Sequence, residues 1–159
     1  VVTAAHCLID VNTVVGSSIY ARREVSSITL GVGSLSNITA SPKTLRAAII
    51  HPQYDAVNQT NDIALLQLSS PLTFSSAIQP IRVDMSSDIP SGTNVTALGW
   101  GATETENRSS VLRSVSLSTT QGSRCTSAYP DYSASAGNLI CIGGTQGKDT
   151  CYGDSGGPL

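Results

Sequence analysis

The nine residues Cys151–Leu159, CYGDSGGPL, constrain this chain more tightly than any other stretch. One serine, Ser155, sits among Gly153, Gly156 and Gly157, with Asp154 before it and Pro158 close behind. Glycine reaches backbone conformations with φ > 0 and lets another molecule approach bare backbone. A Gly/Ser-rich surface turn has the same composition, so the stretch is weighed against the rest of the chain. Read as chemistry, a hydroxyl held on such a turn suits nucleophilic attack. The neighbouring N–H groups would then stabilise a developing oxyanion.

A serine alone is a poor nucleophile; it needs a base, and the base needs an orienting group. The chain has two histidines, His6 in VVTAAHC and His51 in IIHPQYD. Asp62 opens the apolar run IALLQL, where an unpaired carboxylate is costly. Its polar neighbours Asn61 and Asp55 read as loop residues, and His51 as a surface or packing residue.

TAAHC, DIALL and GDSGGPL, in that order, resemble the three signatures of the chymotrypsin/trypsin family of serine endopeptidases, in its trypsin-like branch. The order His, Asp, Ser fits that family and differs from the subtilisin and α/β-hydrolase orders. The resemblance covers nearly the whole chain. It implies an all-β fold of two antiparallel Greek-key six-stranded β-barrels, incomplete at both termini. Residues 1–83 would form the first barrel, with His6 and Asp62, and residues 84–159 the second, with Ser155.

The same resemblance implies roles. Ser155 is the nucleophile, His6 the general base and acid, and Asp62 the group that fixes the imidazole tautomer. The N–H groups of Gly153 and Ser155 form the oxyanion hole. Asp154 pairs with the α-ammonium created when a zymogen is cut. Asp149, six residues before Ser155, sits at the base of the S1 pocket with Thr150 beside it, selecting Lys or Arg. The other reading of Asp149 is an exposed loop aspartate beside Lys148. The function implied is a trypsin-like serine endopeptidase acting on polypeptides through an acyl-enzyme. The alternative is a catalytically inactive, protease-like binding protein; the presence of His6, Asp62, Gly153 and Ser155 favours the enzyme. No cofactor is expected; protein protease inhibitors are expected partners, and the chain is expected to be a monomer.

The four cysteines are Cys7, Cys125, Cys141 and Cys151, which allow three internal pairings. The family pattern instead pairs Cys125 with Cys141 and sends Cys7 and Cys151 to partners outside this sequence. No CxxC spacing is present, so a metal site is not expected. Disulfides imply an oxidising compartment, and hence a secreted, extracellular protein. Sequons at Asn37, Asn58, Asn94 and Asn107 agree weakly. The net charge of −2 argues against nucleic acid or an anionic membrane as partner. No run approaches the roughly 18 apolar residues of a membrane helix. The start at Val1 and the stop just after the serine motif read as an internal fragment of a longer protease. Without a new N-terminus for Asp154, the 159-residue polypeptide by itself is expected to be inactive or to fold poorly.

Val1–Ala5 reads as the end of a strand, and strands are expected over Ile28–Val32, Leu45–Ile50, Ile63–Leu68, Val95–Gly99, Val111–Leu117 and Asn138–Ile142. His6–Leu8 reads as a turn carrying the base, and residues 9–27 as a loop with Arg22, Arg23 and Glu24 exposed. The loop before Leu45 contains no Asp or Glu from Gly31 onward, so no calcium is expected there. Residues 71–90 read as the segment crossing between barrels. Trp100, in Gly99-Trp100-Gly101, reads as structural, packing near the activation region. Residues 121–137 read as a loop or short helix holding Cys125, with Tyr129 and Tyr132 candidates to line the substrate cleft.

Overall fold

A computed structural model describes residues 1–10, 21–28, 30, 42–86, 89–129, 132 and 139–159. The expected loop strand Ile28–Val32, the calcium-loop region and Asn37 lie largely or wholly outside these residues. The chain divides into two compact units, Val1–Val83 and Asp84–Leu159.

The first unit is built around an antiparallel sheet in the order β1-β5-β4, with β1 at Val2–Thr3, β4 at Leu45–Ile50 and β5 at Ala64–Leu68. Its register pairs Val2 with Leu65 and Ile50 with Ala64. Strand side chains alternate between faces. So Ala64 and Leu66 go inward while Leu65 and Gln67 go outward. The buried cluster is Ala5, Leu8, Ile9, Ile50, Tyr54, Ala64 and Leu66, with Ile28, Leu45, Ala48 and Ala56 against it. Each buried Leu or Ile contributes about 1.5–3 kcal/mol. The expected loop over residues 9–27 contains regular structure. β2 (Ile9–Asp10) pairs antiparallel with β3 (Ala21–Arg22), and a 3-10 turn follows at Val25–Ser27. These two-residue strands are too short to show as an alternation in sequence. Arg23 and Glu24 are exposed as expected, and Arg23 reaches Asp10 at 3.0 Å. Both partners of that pair face solvent, so it is worth at most about 1 kcal/mol.

The second unit centres on β6 (Asn94–Gly99) paired antiparallel with β7 (Arg113–Ser118). Ala97 and Leu117 are its buried apolar side chains on these strands. Thr119 is also buried; its hydroxyl donates to the Pro90 carbonyl at 2.6 Å and accepts from the Thr93 N–H at 2.9 Å. A single bridge joins Thr119 to Ile142, and this stands where a strand over Asn138–Ile142 was expected. Helix α1 (Gly122–Ala128) carries Cys125, whose disulfide to Cys141 ties the helix to that bridge. Val111 and Leu112 stay outside β7 and are exposed. The described residues show sheets of three, two and two strands and no closed barrel. Among them no helix is long and apolar enough to cross a membrane.

Candidate active site

His6 lies in a 3-10 turn, Ala5–Leu8. Ala5 and Leu8 of that turn are buried in the core of the first unit. Two apolar anchors on either side leave the His6 side chain facing out, 43% exposed. Asp62 comes from the other direction, two residues before β5. Just before it Asn61 adopts φ 54°, and the Ile63 N–H donates to the Asn61 carbonyl at 2.8 Å. Asparagine tolerates this left-handed conformation better than most residues. Its side-chain amide also donates to the Gln53 carbonyl at 2.9 Å. This turn directly precedes Asp62, which meets His6.

Asp62 grips His6 at two points. Its Oδ1 accepts the His6 backbone N–H at 2.8 Å, and its Oδ2 meets His6 Nδ1 at 2.7 Å. An ionised carboxylate only accepts hydrogen bonds. Nδ1 therefore carries the proton, and the backbone contact stops the carboxylate from rotating away. The Cys7 Sγ lies 3.7 Å from His6 Nε2. Burial pushes the Cys7 thiol up, with the Asp62 charge adding to this and the Arg23 charge opposing it. His51 takes a local role: its Nδ1 accepts the Gln53 N–H at 3.2 Å, closing the HPQY turn.

The second unit holds the serine stretch. Gly153 has φ 94° and Gly156 φ 76°, on either side of Asp154 and Ser155. The Asp154 N–H donates to the Cys151 carbonyl at 3.0 Å, and the Gly157 N–H to the Asp154 carbonyl at 2.9 Å. Two successive turns thus present Ser155 on the surface. The segment 98–102 forms the bed of this loop. The Leu98 N–H donates to the Pro158 carbonyl at 3.4 Å, and the Ala102 N–H to the Tyr152 carbonyl at 2.8 Å. Asp154 Oδ1 accepts the Gly101 N–H at 2.8 Å and Oδ2 the Cys151 N–H at 2.9 Å. Gly99 and Gly101 are required by this contact. A Cβ on Gly99 would overlap Asp154 Oδ1, and one on Gly101 would lie 2.5 Å from its Cγ. Gly153 is less tight, an added Cβ coming to 3.3 Å from Gly101 Cα, but its φ of 94° itself disfavours an L side chain. The Gly-Trp-Gly stretch therefore acts through its glycines.

Asp149 and Thr150 are exposed, and the Thr150 N–H donates to Asp149 Oδ1 at 2.8 Å. Both line a cavity of about 140 Å³ in this unit, together with Gly101, Arg113 and Asp154. Tyr129 is 70% exposed, and the Tyr132 hydroxyl donates to the Leu139 carbonyl. Among the described residues no group of three or more His, Cys, Asp or Glu side chains could hold a metal ion.

The structure thus brings His6 and Asp62 together in one unit, and Gly153, Asp154 and Ser155 together over Gly101 in the other. Sequence reasoning missed two contributors. One is Asn61, whose only signal is that Asn is a residue type suited to φ > 0. The other is Ser109, which has no motif at all and is described below.

Comparison with known proteins gives the family. The trypsin family model matches residues 1–159. Trypsin delta of Drosophila erecta is 36% identical over 166 residues, covering all of this chain and 59% of the relative. Trypsin-1 of Salmo salar is 35% identical, covering all of this chain and 60% of the relative. Phenoloxidase-activating factor 3 of Holotrichia diomphalia is 34% identical, covering all of this chain and 48% of the relative. The chain thus spans about half the length of the curated relatives it matches. A solved structure described as "Structure of GrC" superposes with a TM-score of 0.77 at 26% identity, over 99% of this chain and 65% of that one. With its His–Asp pair, its turn-mounted serine and a family match along its full length, this chain belongs to the trypsin family of serine proteases.

Proposed function

We propose that this chain is the catalytic core of a secreted endopeptidase that hydrolyses peptide bonds on the C-terminal side of Lys and Arg. The observation that carries the proposal is the two-point grip of Asp62 on His6. With Nδ1 committed to Asp62, Nε2 is the basic nitrogen of the ring. Ser155 Oγ attacks the substrate carbonyl carbon, and its proton passes to Nε2. The C–N bond then breaks as that proton moves to the leaving amine. Water repeats the sequence on the acyl-enzyme, releasing the acid and restoring Ser155. The N–H groups of Gly153 and Ser155 hold the oxyanion; one such donor is worth about 10²–10³ in kcat. The positive φ at Gly153 supports this role, because it turns that peptide as an L side chain rarely could.

Asp149 and Thr150 form the S1 floor, where a carboxylate attracts a cationic side chain. Asp154 pairs with the α-ammonium of the activated enzyme. Each unit, 1–83 and 84–159, belongs to one six-stranded barrel. The partners are polypeptide substrates and protein inhibitors of proteases. None of the steps above calls for a cofactor.

The test uses the full-length gene product, activated by proteolysis, with Ser155→Ala as control. Cleavage sites on a denatured protein are mapped by mass spectrometry. Cuts confined to the C-terminal side of Lys and Arg, absent in the control, are expected. Cuts after other residues would remove Asp149 from S1 while keeping the triad. No cutting by folded, activated protein would refute the enzyme and favour the binding protein.

A further inference from the structure

Ser109 is fully buried, at 0% exposure, although it follows a run of five exposed residues, 104–108. Every polar group of its side chain is used. Its Oγ donates to the Val111 carbonyl at 2.8 Å, accepts the Arg113 Nε–H at 3.2 Å, and lies 3.4 Å from the Val111 N–H. Its backbone N–H is shared between the Trp100 carbonyl at 3.1 Å and the Gly101 carbonyl at 3.2 Å. One residue thus ties the start of β7 to the Gly-Trp-Gly segment. That segment is in turn the bed of the serine loop, through Gly101 N–H to Asp154 Oδ1 and Ala102 N–H to the Tyr152 carbonyl.

From this geometry we infer that Ser109 is a positioning residue for the oxyanion loop, acting through Gly101 and Asp154 on Gly153 and Ser155. The inference rests on Ser155 being the nucleophile. The hydroxyl's contacts to Val111 and Arg113 hold the turn at 109–113, and with it the backbone N–H that the Trp100 and Gly101 carbonyls accept. The Gly101 peptide then presents its N–H to Asp154 along one direction. Gly153 lies next to Gly101, close enough that a Cβ added to it would come within 3.3 Å of Gly101 Cα. Loss of the Ser109 hydroxyl leaves the Val111 carbonyl and Arg113 Nε without their partner. The turn then relaxes, and the bed shifts under the loop. Oxyanion contacts act in the transition state, so the effect falls on kcat rather than on KM.

The experiment compares Ser109→Ala and Ser109→Thr in the activated full-length protein. Competent sites are counted by burst titration with an acylating ester, so that partial unfolding does not count as lost catalysis. The expected result is a fall of about tenfold or more in kcat per titrated site for Ser109→Ala, from partial loss of oxyanion stabilisation. KM should stay within about twofold, because the loss is confined to the transition state. Ser109→Thr, which keeps the hydroxyl, should restore most of the loss. Unchanged kcat per site in Ser109→Ala would overturn the inference. Amide hydrogen exchange over residues 151–158 is read in parallel, whether or not the protein hydrolyses anything. Faster exchange there in Ser109→Ala supports the mechanical link; unchanged exchange refutes it even if the enzyme reading fails. If Ser109→Ala does not fold, Ser109→Cys replaces it, with the same two readouts and the same refuting outcomes. Parent protein that folds but never acylates sinks the nucleophile assignment and leaves exchange to decide the Ser109 link.

Discussion

Replacing Gly101 by Ala tests the packing of Asp154 against its bed. The new Cβ would lie 2.5 Å from Asp154 Cγ and 2.6 Å from both carboxylate oxygens. Ordinary contact needs about an ångström more. The carboxylate has nowhere to retreat without releasing the Gly101 N–H at 2.8 Å and the Cys151 N–H at 2.9 Å. Hydrogen bonds to a charged group contribute about 1.5–3 kcal/mol each, so the substitution should cost about 3–6 kcal/mol. The reduced flexibility of the unfolded chain offsets about 0.4–1 kcal/mol of this. Gly101 is not among the positive-φ glycines, so backbone strain does not enter. The assay is a double-mutant cycle with Asp154→Ala, read by urea unfolding of the full-length protein. Asp154→Ala alone loses the same two bonds but leaves room for a methyl group at 101. On that background Gly101→Ala should be neutral or slightly stabilising, giving a coupling of about 3 kcal/mol or more, far above the few tenths found between independent sites. Additive effects, or a cost below about 1 kcal/mol for Gly101→Ala, would refute the close fit of Asp154 over Gly101.

Three further outcomes are expected. Asp62→Asn keeps the volume but offers His6 Nδ1 an amide, which favours the wrong tautomer; peptide hydrolysis at neutral pH should fall by about 10⁴, as in the best-studied triad, with the fold retained by circular dichroism. Removing the Cys125–Cys141 crosslink by Cys141→Ala, across a sequence separation of 16, should cost about 3 kcal/mol on the chain-entropy model, checked by thermal unfolding. The Cys7 thiol is raised by burial and by Asp62, so the folded state resists its ionisation. Its contribution to stability is therefore complete below the unfolded thiol pKa and is lost as pH rises through the folded one. In protein whose Cys7 is kept reduced, alkylation of Cys7 near pH 8.5, about the unperturbed thiol value, should be slower in the folded state than in urea, and equal rates would contradict the upward shift of its thiol.

The residues proposed to perform chemistry were legible because such chemistry is carried by rare side chains in short local motifs. Two histidines in the whole chain made His6 easy to find, and Asp62 stood out as a carboxylate entering an apolar run. The strands β4, β5 and β6 were legible because each is a stretch of five or six residues with apolar residues such as Leu, Ile and Val. The hairpin of β2 and β3 was not, because two-residue strands carry no periodicity, and pairing across a long connection is decided by what packs on Ile9 and Leu8.

What tertiary structure alone decided is how backbone groups are spent. The sequence by itself pointed to the family and to His6, Asp62 and Ser155 as the proposed reactive side chains. It did not show that Asn61 turns left-handed just before Asp62, that Asp154 holds the N–H groups of Gly101 and Cys151, or that Ser109 is buried and bonded to the Trp100 and Gly101 carbonyls. Hydrogen bonds between backbone groups distant in the chain leave no mark on residue type, since every non-proline residue offers the same N–H and C=O. Only the fold chooses which of these identical groups meet, and so which ordinary serine becomes an anchor.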